Sequence, residues 1–124
     1  MTKRILVIED TDDNRRIFRD LLTSANFEVI EATDGEKGVA MAAAERPDLI
    51  LMDIQLPVVD GYEATRRIKA NPSLQHIPVI AVTSYALSGD EAKARAVGCN
   101  GYIAKPFSPR EVLEAVRSFL HVQS

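Results

Sequence analysis

Short apolar runs alternate with amphipathic segments along the whole chain. Each apolar run has the length of a β-strand, and the segments between them repeat apolar residues at steps of three and four, as one helix face does. The five apolar or β-rich runs lie at residues 5–8, 27–30, 49–52, 79–82 and 102–104. Strands that alternate with helices predict right-handed βαβ crossovers, and therefore a parallel sheet covered by helices on both faces.

The polarity of these runs predicts their order in the sheet. The runs at 5–8, 49–52 and 79–82 are apolar throughout, which is typical of strands buried on both faces. The run at 27–30 contains Glu28 and is followed by Glu31, as an edge strand allows. We therefore predict an α/β fold of the doubly wound (βα)5 flavodoxin-like type, with a five-stranded parallel sheet in the order 2-1-3-4-5.

Two helix starts can be predicted from the sequence. Thr11 or Asp12 is suited to cap the first helix, while Ser108 is the predicted N-cap of the last helix and Pro109 its first residue. Ile17 is one of the periodic apolar positions of the first helix. It is expected either in the core or on a docking face beside Thr11 and Asn14.

Length, charge and composition exclude several classes of protein. The chain has 124 residues, and its fifteen basic and eighteen acidic residues give a net charge of −3, which provides no positive surface for nucleic acid or anionic membrane. No apolar run approaches the ~20 residues that span a bilayer, and the first run is too short for a signal peptide. Cys99 is the only cysteine, and a buried or half-buried structural role is expected. We expect one soluble, cytoplasmic domain over residues 1–124, with no output domain.

Polar side chains follow four of the five predicted strands. In chain order they are Glu9 and Asp10, then Asp53, Thr83 and Lys105. In an open doubly wound sheet the carboxyl ends of the strands form one rim, and ligands bind there. Each residue alone has an ordinary explanation, such as a helix cap, a turn or a solvated charge. Three carboxylates, a hydroxyl and an ammonium on the same rim indicate a shared function.

Phosphoryl transfer to a carboxylate is the chemistry that this set of groups supports. Neighbouring carboxylates repel one another, which favours a hard divalent cation between them. The candidate ligands for Mg²⁺, or for Mn²⁺ in its place, are Glu9, Asp10, Asp53 and the backbone carbonyl of Gln55. Asp53 would be the nucleophile, and the Thr83 hydroxyl and the Lys105 ammonium would stabilise the oxygens of the transferred group.

The segments that contain these residues resemble the receiver domains of response regulators in two-component systems and phosphorelays. The similarity covers nearly the whole chain. The matching segments are ILVIED at residues 5–10, PDLILMD at 47–53, IQLP at 54–57, DG at 60–61, IPVIAVT at 77–83 and GYIAKP at 101–106. The chain is most similar to stand-alone regulators of the DivK type and to receivers attached to hybrid histidine kinases, and either origin remains open.

The resemblance implies a function and the residues that perform it. Asp53 would be phosphorylated by a histidine kinase or a histidine phosphotransferase, with Mg²⁺ bound nearby, and Thr83 and Lys105 would contact the phosphoryl group. Thr83 and Tyr102 would form a switch pair, and the Lys105–Pro106 peptide would be cis. The implied protein is not an enzyme but a signalling domain that promotes its own phosphorylation and dephosphorylation. It would be a monomer or a weak phosphorylation-dependent dimer that signals to a downstream protein.

Several individual positions carry further expectations. Glu9 stands where aspartate is common in the family, and its extra methylene alters the contact with metal. Bulky Tyr85 is predicted to slow loss of the phosphoryl group. Partners would be contacted through a surface that includes Tyr85, Leu87, Tyr102 and Phe107. Neither His76 nor His121 is expected to be a phosphodonor.

Three other functions fit parts of the same pattern. A phosphatase of the haloacid-dehalogenase type also uses an aspartate nucleophile, but it needs a second aspartate where this chain has Gln55, which cannot transfer protons. A flavin or nucleotide carrier would need a glycine-rich or hydroxyl-rich phosphate loop where residues 9–13 are mostly acidic. A degenerate receiver that acts only as a scaffold is disfavoured because every reactive position is filled.

Overall fold

The computed structural model describes residues 2–84 and 89–120. Its elements, in chain order, are β1 (Arg4–Ile8), α1 (Asp12–Ser24), β2 (Glu28–Ala32), α2 (Gly35–Glu45), β3 (Leu49–Asp53), α3 (Gly61–Ala70), β4 (Val79–Thr83), α4 (Asp90–Ala96), β5 (Gly101–Ala104) and α5 (Pro109–Leu120). All four strand pairs are parallel, and the order is β2-β1-β3-β4-β5. The predicted fold class and strand order are therefore confirmed.

Two apolar layers pack on opposite faces of the sheet. Alternate side chains of the central strands belong to different layers, because successive residues of a strand point to opposite faces. One layer joins the sheet to α2, α3 and α4 through residues such as Ile8, Ala42, Ala64 and Ala94. The other includes Phe18 and Leu22 of α1 and Val112 and Val116 of α5. Burial on both faces explains why β1, β3 and β4 are almost continuously apolar.

The structure also shows whether Ile17 and Cys99 are buried. Ile17 is 52% exposed, which excludes the core alternative for this residue. Cys99 is buried beside Thr65, and its Sγ lies 3.7 Å from the Thr65 Oγ1. The expected burial of the cysteine is confirmed. None of the helices within the described ranges is long and apolar enough to cross a membrane.

The helix caps follow local side-chain chemistry. The Ser108 Oγ accepts a hydrogen bond from the Glu111 backbone N–H at 3.1 Å, and the Glu111 carboxylate accepts from the Ser108 N–H at the same distance. This reciprocal capping box confirms the predicted start of α5. Asp60 caps α3 by accepting from the Glu63 N–H at 2.8 Å. Thr11 is the N-cap of α1, although its side chain makes no capping hydrogen bond.

A glycine allows α3 to approach the end of β3 closely. A Cβ atom on Gly61 would overlap the Asp53 carbonyl oxygen and come within 2.7 Å of the Ile54 Cα. The Gly61 N–H also donates to the Ile54 carbonyl at 3.0 Å. The start of α3 thus fixes the backbone that carries Asp53 at the carboxyl end of the sheet.

Candidate functional site

Three carboxylates meet at the carboxyl ends of β1 and β3. Asp53 is the last residue of β3, while Glu9 and Asp10 directly follow β1. Glu9 is 1% exposed and Asp53 is 5% exposed, whereas Asp10 is exposed. One carboxylate oxygen from each residue lies within 4.8 Å of the other two. The structure therefore brings together the acidic residues that the sequence predicted as metal ligands.

Lys105, which follows β5, provides a cation at this acidic cluster. Its Nζ lies 3.3 Å from the Glu9 Oε1 and 3.6 Å from the Asp53 Oδ2. Its side chain is only 20% exposed, so these charges interact with little screening by solvent. A single ammonium group does not balance three carboxylates, and the cluster retains excess negative charge.

Burial and mutual repulsion separate the pKa values of Asp53 and Glu9. Burial, together with the neighbouring Glu9 carboxyl group, raises the pKa of Asp53 to about 7. Burial also disfavours the charge on Glu9, but hydrogen bonds from Asp53 and the Thr11 N–H, together with Lys105, hold the pKa of Glu9 below its usual value. The two carboxyl groups behave as a coupled pair in which Glu9 keeps its charge and Asp53 takes the proton first.

The pKa of Asp10 is also raised. Desolvation beside the cluster is the largest cause, although the residue is exposed overall, and the nearby Glu9 carboxylate adds to it. The contribution of Glu9 to this shift is a second consequence of the excess negative charge. A divalent cation would relieve the repulsion, and carboxylate oxygens are the ligands that hard cations prefer. The donor set of Glu9, Asp10 and Asp53 therefore fits a magnesium-type ion.

Gln55 and Thr83 lie on the other side of Asp53. The Gln55 backbone N–H donates to the Asp53 Oδ1 at 2.9 Å, and the Gln55 Nε2 donates to the Thr83 Oγ1 at 2.9 Å. Thr83, the last residue of β4, is completely buried, and its carbonyl accepts from the Lys105 N–H at 2.7 Å. The hydroxyl, the ammonium and the carboxylates thus share one rim, as the sequence predicted.

The structure also locates the predicted switch residue and the proline after Lys105. Tyr102 is partly buried in β5 and packs against the core layer on the α2, α3 and α4 side. Burial, followed by the negative charges of Asp90 and Glu91, raises the pKa of the Tyr102 hydroxyl. The peptide bond between Lys105 and Pro106 is cis, the isomer that the resemblance predicted.

Other residues named in the sequence predictions lie away from the acidic cluster or outside the described ranges. Phe107 stacks on Phe18 of α1 with ring centroids 5.2 Å apart, so its ring is partly committed to the interior. His76 is exposed in the segment before β4, at the end of the sheet opposite the acidic cluster. Predictions for Tyr85, Leu87 and His121 concern residues outside the described ranges.

An arginine network on α1, which the sequence analysis did not identify, supports the Glu9 backbone. The Arg15 guanidinium donates to the Glu9 carbonyl at 2.9 Å and forms ion pairs with Asp12 and, at 3.4 Å, with Glu31 of β2. Arg19 forms a two-pronged pair with the same Glu31, at 2.6 and 2.8 Å. The hydrogen bonds from Arg19 lower the pKa of Glu31; burial opposes this shift, and the charges of both arginines add to it. A glutamate on an edge strand beside an arginine-bearing helix was the available signal.

The chain belongs to the response regulator receiver domain family. The model of this family matches residues 5–117, which include the acidic cluster, Thr83 and Lys105. The fold, five parallel strands in the order 2-1-3-4-5, is that of receiver domains, and the chain is a signalling domain of two-component systems. Membership of this family removes the basis for the phosphatase and carrier alternatives.

One curated relative and two solved structures show how similar the chain is to individual receiver proteins. The chain is 45% identical over 120 residues to the polar-differentiation response regulator DivK of Brucella ovis, covering 97% of this chain and 98% of the relative. Its structure superimposes with a TM-score of 0.91 on the receiver domain of the sensor histidine kinase PA1611 from Pseudomonas aeruginosa, at 37% identity over 98% of this chain and all of the other. The chemotaxis protein CheY4 of Vibrio cholerae gives the same TM-score at 27% identity, covering 97% of this chain and all of that one.

Proposed function

We propose that Asp53 accepts a phosphoryl group from the phosphohistidine of a histidine kinase or a histidine phosphotransferase. The observation that supports this most directly is the position of Asp53. Its buried carboxylate lies in a cluster with Glu9 and Asp10 and is 3.6 Å from the Lys105 ammonium. This set of charges is unfavourable for a purely structural site and suited to a transferred phosphoryl group.

The acidic cluster would bind Mg²⁺, or Mn²⁺ in its place. The PA1611 receiver structure is described with a magnesium ion coordinated in its active-site cleft, which supports the same site in this chain. The proposed ligands are Glu9, Asp10, Asp53 and the Gln55 carbonyl. When bound, the ion would neutralise the carboxylates and the charge of the transferred group. Glu9, whose oxygens also accept from the Thr11 N–H at 3.0 Å and from Asn14 at 3.4 Å, would contact the ion directly or through water.

Asp53 would act as the nucleophile. One carboxylate oxygen forms the new bond to phosphorus while the phosphorus–nitrogen bond to the donor imidazole breaks, and the imidazole leaves with the bonding electrons. The Lys105 ammonium and the Thr83 hydroxyl would stabilise the phosphoryl oxygens. Later attack by water on phosphorus returns the Asp53 carboxylate and inorganic phosphate, so the domain would also promote its own dephosphorylation.

Phosphorylation would alter a protein-interaction surface. Movement of Thr83 toward the phosphoryl group would open space for the Tyr102 ring to turn inward, and the surface around β5 would present a different contact to a downstream protein. We expect a cytoplasmic protein that is a monomer or a weak dimer after phosphorylation. No direct contact with nucleic acid or membrane is expected from its net charge of −3.

Intact-mass spectrometry after incubation with acetyl phosphate and Mg²⁺ tests the proposal. The wild type should gain the mass of one phosphoryl group, and Asp53→Asn should gain none. Asp48→Asn is the matched control, because it makes the same change at the opposite end of the sheet and should keep the adduct. An adduct that persists in Asp53→Asn, or its absence from the wild type, would contradict the proposal, and added EDTA should prevent its formation.

A further inference from the structure

The side chain of Gln55 joins two loops of the rim. Its Nε2 donates to the Thr83 Oγ1 at 2.9 Å, and its Oε1 accepts from the Ser84 backbone N–H at 3.1 Å. Its own backbone N–H is bonded to the Asp53 Oδ1 at 2.9 Å. One residue therefore connects the acceptor carboxylate with the end of β4 and the first residue of the loop that follows.

The proposed function uses only the backbone carbonyl of Gln55 and gives its side chain no task. The carboxamide nevertheless has both of its ends committed, as a donor to Thr83 and as an acceptor from Ser84. The Thr83 side chain is completely buried. If its hydroxyl moves away from Gln55, water has little access to replace the hydrogen bond that is lost. Displacing Thr83 and Ser84 from this position therefore carries an energetic cost that the Gln55 side chain creates.

We propose that the Gln55 carboxamide is a latch that holds Thr83 and Ser84 in the resting, unphosphorylated position. This proposal rests on the proposed function, since it assigns a second conformation to the phosphorylated protein. A phosphoryl group on Asp53 draws the Thr83 hydroxyl toward itself and competes with the latch. Gln55 thereby sets how much of the protein adopts the switched conformation before phosphorylation, and it acts as a positioning residue rather than a catalytic one.

The size of the effect follows from the two hydrogen bonds. Each net hydrogen bond changes an equilibrium about fivefold, and Ser84 is exposed, so water can replace part of its loss. Removal of the latch should therefore raise the ratio of switched to resting protein about tenfold.

Amide chemical shifts provide the test, with the Tyr102 N–H as reporter. The wild type, measured before and after phosphorylation with acetyl phosphate and Mg²⁺, defines the resting and switched positions of the Tyr102 resonance. Gln55→Met removes both hydrogen bonds at nearly constant side-chain length. Without phosphorylation, its Tyr102 resonance should lie displaced from the resting position along the line toward the switched one.

Two further variants test whether the displacement depends on the hydrogen bonds of Gln55. Gln75→Met makes the same chemical change at an exposed position before β4, at the other end of the sheet, and should leave the Tyr102 resonance at the wild-type resting position. Gln55→Glu keeps two acceptor oxygens for the Ser84 N–H and the Thr83 hydroxyl. Its unphosphorylated Tyr102 resonance should therefore lie nearer to the wild-type resting position than that of Gln55→Met.

The outcomes separate this proposal from the proposed function. A wild type that forms no phosphoryl adduct would overturn the proposed function. A normal adduct in the wild type, with the unphosphorylated Tyr102 resonance of Gln55→Met unmoved or displaced off the line, would overturn the latch alone.

Discussion

The two ends of the sheet use polar side chains in opposite ways. At the amino end, the Asp48 carboxylate accepts from the Arg4 backbone N–H at 2.8 Å, and the Arg4 guanidinium pairs with Glu45 at 2.9 Å. The Asn100 side chain accepts from the Val79 N–H at 3.0 Å. Arg4 and Asp48 are partly exposed and Glu45 and Asn100 are exposed, and each one satisfies a backbone group or balances a charge. The amino end is therefore stabilised by its polar residues.

At the carboxyl end, the polar groups are more deeply buried and their charges do not balance. Glu9 and Asp53 are almost inaccessible to solvent, Asp10 lies beside them, and Lys105 is the cation that contacts the buried pair. Such an arrangement lowers stability in the absence of a ligand. The difference shows that the functional end of this sheet is marked by unbalanced buried charge rather than by the number of its polar residues.

The largest loss of stability should come from a substitution that fills the space between the start of α3 and the end of β3. Gly61→Ala places a methyl group against the Asp53 carbonyl, and either α3 or β3 must move. We expect the free energy of unfolding to fall by about 3 kcal/mol and the phosphoryl adduct to be lost. Urea denaturation measures the first change and intact mass the second. Gly89→Ala, where nothing lies within 4 Å but φ is +96°, should cost only about 1 kcal/mol.

The comparison predicts opposite signs for one substitution made at both ends. In EDTA at about pH 8, Asp53→Asn should raise the free energy of unfolding by about 2 kcal/mol because it removes a buried repulsive charge. Asp48→Asn removes a carboxylate that accepts from a backbone N–H, and it should lower stability by about 0.5 kcal/mol or less. Equal effects at both ends, measured by urea denaturation, would contradict the contrast.

The stability gained in Asp53→Asn should depend on pH. Because the pKa of Asp53 is raised from 3.8 to about 7 on folding, the folded state binds this proton more tightly than the unfolded chain. The stability of the wild type relative to the variant therefore falls as pH rises between these two values and levels off above the higher one. Urea denaturation of both proteins across this range, in EDTA, should show a difference that shrinks toward zero in acid.

Bound Mg²⁺ should offset the loss of stability that the acidic cluster causes at the carboxyl end of the sheet. At a Mg²⁺ concentration about tenfold above its dissociation constant, the wild type should gain about 1.4 kcal/mol of stability, because the ion binds the folded state. Asp10→Asn should lose most of this gain, whereas Asp48→Asn should keep it. A thermal shift that is equal in all three proteins would indicate non-specific binding of the ion.

The smallest effect should come from the charges at the amino end. Arg4→Met breaks a partly exposed pair with Glu45, and we expect a loss of about 0.5 kcal/mol. Phosphorylation by acetyl phosphate should proceed at the wild-type rate, because the altered side chain lies at the opposite end of the sheet. A slower rate would show that the two ends are coupled through the strands.

The sequence was sufficient to predict the fold because its patterns are local. Continuous apolar runs identified β1, β3 and β4, and Glu28 and Glu31 indicated that β2 is an edge strand. The gathering of the acidic residues followed from the same alternation, since parallel strands end on one rim. The proposed roles of these residues in phosphoryl transfer remain predictions that the experiments above address.

Contacts made by long side chains could not be predicted in this way. Arg15 reaches the Glu9 carbonyl and Glu31 because α1 packs beside β2, and the Gln55 carboxamide reaches Thr83 across 28 residues of sequence. Periodicity places a residue on a face of a helix, but it does not specify the rotamer or the partner. The exposure of Ile17 shows the same limit, because its spacing alone was compatible with the core or the surface.

The arginines of α1 also distinguish the two flanks of the acidic cluster. Through Glu31 they join the first helix to the edge strand, and through the Glu9 carbonyl they extend to the residue after β1. The flank formed by α1, β1 and β2 is thus braced by ionic and backbone contacts, whereas Thr83 and Ser84 on the opposite flank are tied to Gln55 by neutral hydrogen bonds. An incoming phosphodonor would therefore approach the acidic cluster between a flank fixed by ion pairs and a flank whose conformation can change.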